Sequence, residues 1–444
     1  MENLAFYVSA FSLSALLIYT CKNQAARVGL IDRPCERKRH CGEVPLIGGL
    51  AIFAAYAIVL FLSPLVASHY LPLLAGGAVL VAMGVFDDIK ALTSGPRFLA
   101  QISAAVLMCA WGGVVLRDLG ALSFDGSLFT LGSLAIAFTI FATVGVINAV
   151  NMSDGIDGLC GSLTLVTLTG LAVTTYADGA SESFIMIIIL MSAVAAFLVF
   201  NIRFPKRARA LVFLGDAGST FLGFTLAWFV VSLSQGEHRV IAPVTALWFL
   251  AMPLFDTVGI MIRRILKGRS PFAADREHFH HAFQLAGFSV FRTHVTITVL
   301  AAVFMAIGLA GQFAGAPEIV MFYLFLGAFC VYFWGMMRAW KLMRFLRRTM
   351  HLEKETVQAG AEVVIPMLFR DGDIEDLRSF YLKQRDLRQN GLQQTGRHLR
   401  MEPHFESDAA AESAESEEIM PLKLVVNAAH TSPTELPSKS VSPK

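Results

Sequence analysis

Charge is what this sequence has least of. Asp, Glu, Lys and Arg make up 16% of its 444 residues, against 55% hydrophobic residues, and the mean hydropathy is +0.60. A soluble chain of this length needs more charge, so the composition points to an integral membrane protein. Cysteine is scarce as well. Of the six, Cys109, Cys160 and Cys330 lie in or at the ends of apolar runs, and Cys35 and Cys41 flank a basic loop at a spacing that fits no common zinc motif. All six are expected to be reduced and structural. No P-loop is present, which argues against ATP-driven transport. The first apolar run is preceded by Glu2 rather than by a basic stretch and is followed by no A-x-A-like site, so no cleavable signal peptide is expected.

What the sequence has in abundance is apolar runs of about the length a helix needs to cross ~30 Å of hydrocarbon. Eleven can be counted, near 3–20, 46–66, 71–86, 98–116, 128–147, 160–177, 184–202, 212–233, 241–262, 295–314 and 317–339. Basic residues fall in alternate connections: Lys22 to Arg39, Lys90 and Arg97, Arg203 to Arg209, Arg263 to Arg292, and Lys341 to Arg348. The opposite connections hold only Arg117 and Arg239. The positive-inside rule then puts the N-terminus outside and the C-terminus in the cytoplasm, in keeping with an odd number of spans. The expected fold is an all-α polytopic membrane protein with about eleven transmembrane helices. Residues 1–340 form the membrane domain. Residues 341–444 form a polar cytoplasmic extension, largely disordered, with an amphipathic stretch near 374–392 and an acidic run at 406–418.

Ionisable groups that interrupt an apolar pattern are costly in a membrane and mark function. Four stretches qualify, all on the cytoplasmic side of this topology. In "VFDDIKALTSGPRFLAQ", Asp87 and Asp88 end a barely sufficient helix, and Ser94 with Pro96 reads as the cap and first turn of the next. An acidic helix end is the plain reading; paired carboxylates beside Lys90 and Arg97 favour metal binding or proton transfer. In "NAVNMSDGIDGL", Asn148, Asn151 and Asp154 recur every three residues, a stripe about 120° wide on a helix, and Asp157 follows. That stretch has no Lys or Arg, so a bound cation such as Mg2+ would supply the missing charge. In "LVFLGDAGSTFLGF", Asp216 lies seven residues past Arg209; on a helix it would sit about 10 Å along the axis. A neutral, hydrogen-bonded acid is one reading of it and a metal ligand is the other, while Gly215 and Gly218 admit a ligand near the backbone. Last, "DREHFHH" sets His278, His280 and His281 beside Arg276 in the longest basic connection. Alone this is a solvated loop. Together, the four stretches describe carboxylates, amides and a divalent cation ringed by basic residues, a site for a polyanion such as a nucleotide diphosphate.

At these residues the sequence resembles the polyprenyl-phosphate N-acetylhexosamine-1-phosphate transferase family. Five motifs carry the resemblance in order over residues 27–350: "DRPCERKRHCGEVPLIGG" (32–49), "DDIKALTSGPRFLAQ" (87–101), "NAVNMSDGIDGL" (148–159), "GDAGS" (215–219) and "SPFAADREHFHH" (270–281). The D-R-x-H-x-H-H spacing and "APVTALW" (242–248) resemble the branch that starts O-antigen and related glycan synthesis. Phe279 separates it from a muramoyl-pentapeptide branch with three contiguous histidines, and Cys35 stands where Asn is common.

The resemblance implies transfer of N-acetylglucosamine 1-phosphate from UDP-N-acetylglucosamine to undecaprenyl phosphate, releasing UMP, at the cytoplasmic face of a bacterial inner membrane with the N-terminus periplasmic. Another UDP-N-acetylhexosamine, or UDP-MurNAc-pentapeptide, is the alternative donor. The implied cofactor is Mg2+, with Mn2+ as a substitute. Asp157 and Asp216 are the implied metal ligands. Asp87 and Asp88 would orient or deprotonate the lipid phosphate, or assist the metal. Asn148, Asn151, Asp154 and Gly215 would meet the nucleotide. Arg37, Lys38, His40, Arg276, His278, His280 and His281 would neutralise phosphate. The expected partners are the two substrates, the lipid bilayer and a second copy in a homodimer, and not nucleic acid. A transporter of anionic or lipid-linked sugars is the competing class. It is disfavoured because the polar residues gather at one face and no repeated halves are visible. A scaffold that presents its tail to glycan enzymes is the third reading.

Overall fold

The computed structural model describes residues 2–32, 43–63, 70–90, 92–203, 207, 209–268, 270 and 278–338. The chain divides into two units, Met1–Gln358 and Ala359–Lys444, and every described residue falls in the first. The expectations for the 340/341 boundary and for the tail therefore lie outside the described residues.

The architecture is helical. In order come α1 (Glu2–Cys21), α2 (Gly48–Leu62), α3 (Leu71–Lys90), α4 (Ser94–Ala110), α5 (Ala135–Met152), α6 (Leu159–Asp178), α7 (Ser181–Asn201), α8 (Gly215–Ser234), α9 (Pro243–Phe249), α10 (Ala251–Leu266), α11 (Phe279–Leu285), α12 (Val290–Phe313) and α13 (Glu318–Met337). Strand pairing among the described residues amounts to the short antiparallel pair β1 (Ile31–Asp32) and β2 (Val44–Pro45) and isolated bridge residues. This pair has a positioning role. Phe213 N–H donates to the Pro45 carbonyl at 2.8 Å, and Gly48 and Gly49 N–H donate back to Phe213 and Leu214 carbonyls. The entrances of α2 and α8 are thereby laced together.

Eight of the helices are long and apolar enough to cross a membrane, so the chain is a polytopic membrane protein. The remaining three apolar runs differ from simple spans. α2 and α4 have 15 and 17 residues. The run at 241–262 is broken into α9 and α10, which meet at 82°. Pro253 explains the break: it has no N–H to give the Phe249 carbonyl. That carbonyl instead accepts from Thr167 Oγ1 at 2.8 Å, so the freed group is satisfied within the bundle.

α8 is the central helix, with 89% of its span buried, whereas α1 and α13 bury only 17% of theirs. Small residues bring its neighbours to backbone contact. A Cβ on Gly49 of α2 would fall 2.1 Å from Gly218 Cα, one on Gly84 of α3 2.3 Å from Ala217 Cα, and one on α8's own Gly223 2.7 Å from Ile147 Cα of α5. Gly84 lies one turn before Asp87 and Asp88, and Ala217 follows Asp216. This packing therefore dictates that the carboxylates of α3 and α8 meet.

Candidate active site

Asp216 lies in the first turn of α8, because residues 209–214 are not helical. The expected 10 Å displacement along a helix is thus corrected: the carboxylate sits at the helix mouth, where the N-terminal dipole favours negative charge. Gly215 opens the helix with φ of 73°, a left-handed conformation that glycine adopts freely, and a Cβ there would sit 2.5 Å from Asp88 Oδ2. The Asp216 N–H donates to Asp88 Oδ1 at 3.2 Å. Asp88 Oδ2 is buried without a partner at good hydrogen-bond geometry among the described residues, although the Ala217 N–H also faces this carboxylate. Asp87 is buried in its turn. Its Oδ1 accepts from Leu92 N–H at 2.7 Å, and its Oδ2 lies 2.6 Å from Arg97 Nε. Arg97 NH1 also reaches within 3.9 Å of Asp216 Oδ2. α4 begins after Thr93, one residue before the expected cap at Ser94.

Asn148 and Asn151 lie on α5, which ends at Met152, so Asp154 belongs to the following turn rather than to the helical stripe. Both amides are already engaged. Asn151 Nδ2 donates to Asp216 Oδ1 and to Ser219 Oγ, both at 2.8 Å, and Asn148 pairs with Gln101 of α4. Asp154 reaches solvent on one side. Enclosure by protein on the others, and then repulsion by Asp216, Asp157 and Asp88, raise its carboxyl to about 8. Asp157 is ion-paired with Arg203. Gly158, with φ of 85°, opens α6, and its N–H donates to Asn201 Oδ1 at 2.6 Å while Asn201 Nδ2 donates to the Val212 carbonyl.

The histidines lie at the start of a short helix rather than in a loop, with His278 at the cap position of α11. His280 is buried with its ring against Gly155, where a Cβ would come within 2.3 Å of it. Asp154 and His280 therefore approach through adjacent residues of the same turn. Burial first, then His281 and His278, depress the His280 pKa to about 3, so the ring is neutral. His278 stacks on His280 with centroids 5.6 Å apart, and His281 lies 4.2 Å from His280. Arg37, Lys38, His40 and Arg276 lie outside the described residues.

Asp87, Asp88, Asp154, Asp157 and Asp216 thus collect at one end of α3, α5 and α8, with Arg97 and Arg203 against them. Among the described residues, no three His, Cys, Asp or Glu side chains converge as a metal cage. The donor set nevertheless suits a hard cation. It offers carboxylate oxygens, carries excess negative charge and holds Asp88 Oδ2, which has no described partner at good hydrogen-bond geometry. Mg2+ keeps several waters and takes one or two carboxylates beside substrate phosphates, so a full protein cage is not required.

Several residues of this cluster escaped the reading of the sequence. Asp256 accepts from His278 Nδ1 at 3.0 Å, and it is itself a lone acid within an apolar run, the same signal that flagged Asp216. Gln101, Asn201 and Ser219 carry no such signal, since neutral polar residues are common in spans. His294, bonded to Ser162 at 2.8 Å beneath the Gly158 turn, belongs with them.

The model of the family Glycosyl transferase family 4 matches residues 70–234, which contain all five carboxylates. Over 342 residues the chain is 38% identical to the undecaprenyl-phosphate alpha-N-acetylglucosaminyl 1-phosphate transferase of Escherichia coli (strain K12), covering 77% of this chain and 93% of that protein. The proteins of the same name from Yersinia pestis and Haemophilus influenzae are each 37% identical, covering 78% and 75% of this chain and 94% and 93% of their own lengths. The chain belongs to this glycosyl transferase family.

Proposed function

We propose that this family 4 member transfers N-acetylglucosamine 1-phosphate from UDP-N-acetylglucosamine to undecaprenyl phosphate, as the names of its relatives suggest. The observation that carries the reading is the convergence of five carboxylates, two arginines and three histidines at one end of the helix bundle. One substrate is soluble and the other is embedded, so their meeting point must be a membrane interface.

In the reaction, an oxygen of the lipid phosphate attacks the sugar-bearing phosphorus of the donor. The bond from that phosphorus to the bridging oxygen breaks, and UMP leaves with the electron pair. One phosphoanhydride replaces another, so the exchange is close to thermoneutral. The acceptor phosphate is largely ionised near neutral pH, and Asp87 and Asp88 need only orient it or take a residual proton. Asp87 is held by Arg97 for that task. Mg2+, with Mn2+ as a substitute, would neutralise the diphosphate and the charge growing on UMP, held by Asp216 and by the Asp157 oxygen other than the one paired with Arg203. Neutral His280 donates a hydrogen bond rather than a charge, and His278 and His281 flank it toward phosphate. Asn151 holds Asp216 in place, and the nucleotide lies along Asn148, Asp154 and Gly215. Arg37, Lys38, His40 and Arg276 would neutralise phosphate.

In this reading all eleven apolar runs cross the bacterial inner membrane, the short α2 and α4 and the bent α9–α10 included. The N-terminus is periplasmic, and the site and C-terminus are cytoplasmic. The bias of Lys and Arg toward the carboxylate end of the bundle supports that orientation.

The test is transfer of label from UDP-N-acetylglucosamine into organic-extractable lipid by the purified protein, beside UDP-N-acetylgalactosamine and UDP-MurNAc-pentapeptide. Labelled lipid with equimolar UMP is expected from the first donor. Preference for another donor would correct the sugar, and uptake into vesicles without lipid product would replace the reading with transport.

A further inference from the structure

We infer that Asp256 and Tyr332 are positioning residues that fix the tautomer and orientation of His278. Asp256 stands on α10 just beyond the break, 7% exposed, and all its recorded partners are donors or can be. Its Oδ1 accepts from Phe279 N–H at 2.9 Å and from Tyr332 O–H at 3.0 Å, and its Oδ2 meets His278 Nδ1 at 3.0 Å. A carboxylate only accepts, so His278 must carry a proton on Nδ1. In the neutral ring, Nε2 is left with its lone pair on the side away from Asp256. The ring then lies nearly parallel to His280, at 10°, and His280 lies on Gly155 beside Asp154. A chain of contacts therefore runs from α13 through Asp256 to the carboxylate turn.

Tyr332 sits on a helix that buries only 17% of its span, yet its hydroxyl points inward to this acid. The plainer account is that Asp256 merely caps α11 through Phe279 N–H. The two accounts separate on His278. In Asp256→Asn, the amide can still accept from Phe279 and Tyr332, but its NH2 faces Nδ1 and drives the proton to Nε2.

The consequence for rate rests on the transferase reading; the tautomer does not. In full-length protein labelled with 15N-histidine, the His278 signal, identified by its loss in His278→Ala, is expected as the Nδ1–H form and to move to Nε2–H in Asp256→Asn. In transfer assays with UDP-N-acetylglucosamine, Asp256→Asn should lower kcat by about 10- to 100-fold, the usual range for partners that orient a histidine, with KM little changed. In a His278→Ala background it should cost nothing further. Tyr332→Phe, which removes only a hydroxyl, should lower kcat less, at unchanged Tm. A wild-type Nε2–H tautomer, or rate losses that multiply in the double variant, would overturn the inference. If the wild-type protein transfers no sugar phosphate, the transferase reading fails and the nitrogen spectrum still decides this one.

Discussion

The two ends of α8 meet polar clusters built on opposite terms. At the C-terminal end Gln235 Oε1 accepts from Arg117 and Asp118 N–H, and Arg239 bridges Asp118 and Glu318 at 3.6 and 3.3 Å. Glu318 also accepts from Ala121 N–H. There donors and acceptors match, and the cluster ties a loop to two helix ends. At the N-terminal end, Asp87, Asp88, Asp154, Asp157 and Asp216 face Arg97 and Arg203, and Asp88 Oδ2 has no described partner at good hydrogen-bond geometry. The first arrangement is complete by itself. The second has more acids than bases among the described residues, which is what the proposed cation would balance, and that difference separates a structural clasp from a candidate site.

Substitutions should break this contrast in graded ways. Asp216→Ala should have the largest effect, a loss of transfer of about 10³-fold or more with the protein still folded, as for removal of a group that stabilises transition-state charge; initial rates in detergent measure it. Asn151→Ala removes the donor that holds Asp216 and should lower kcat by about 10- to 100-fold. Gln235→Ala belongs to the other end. It leaves two backbone N–H groups without their acceptor and should cost about 1–3 kcal/mol of stability, seen as a lower Tm, with kcat per folded molecule unchanged. A reversal, with Gln235→Ala silencing transfer and Asn151→Ala only lowering Tm, would erase the distinction.

A further effect concerns pH. In the unfolded chain the Asp154 carboxyl ionises near about 4, but in the folded protein only near about 8. Between those values the folded state holds the extra proton, so raising pH through the window removes stability. The Tm of ion-free protein should therefore fall more between pH 5 and pH 8 in the wild type than in Asp154→Asn. Equal slopes would mean that neither enclosure by the protein nor the neighbouring carboxylates hold a proton on Asp154.

Most of the spans were legible because an apolar run and a helix long enough to cross obey one length rule. What the sequence does not show is set by tertiary partners. The run at 241–262 reads as one span, yet Pro253 breaks it, at a cost lowered by Thr167 from α6. Asp216 has no cation among its sequence neighbours, and only the fold brings Arg97 and Asn151 to it from other helices. Asp256 was legible by the same rule as Asp216, since a buried acid in an apolar run demands a partner. What no pattern announces is that its partner is His278, 22 residues away.

The central claim is that the carboxylate end of α8 is completed by a divalent cation and a sugar nucleotide. Its most direct measurement is UMP release from UDP-N-acetylglucosamine by the purified protein with undecaprenyl phosphate, with and without a chelator, before and after Mg2+ is restored. The account predicts release that stops with the chelator and returns with Mg2+. Release that continues undiminished in the chelator would contradict it.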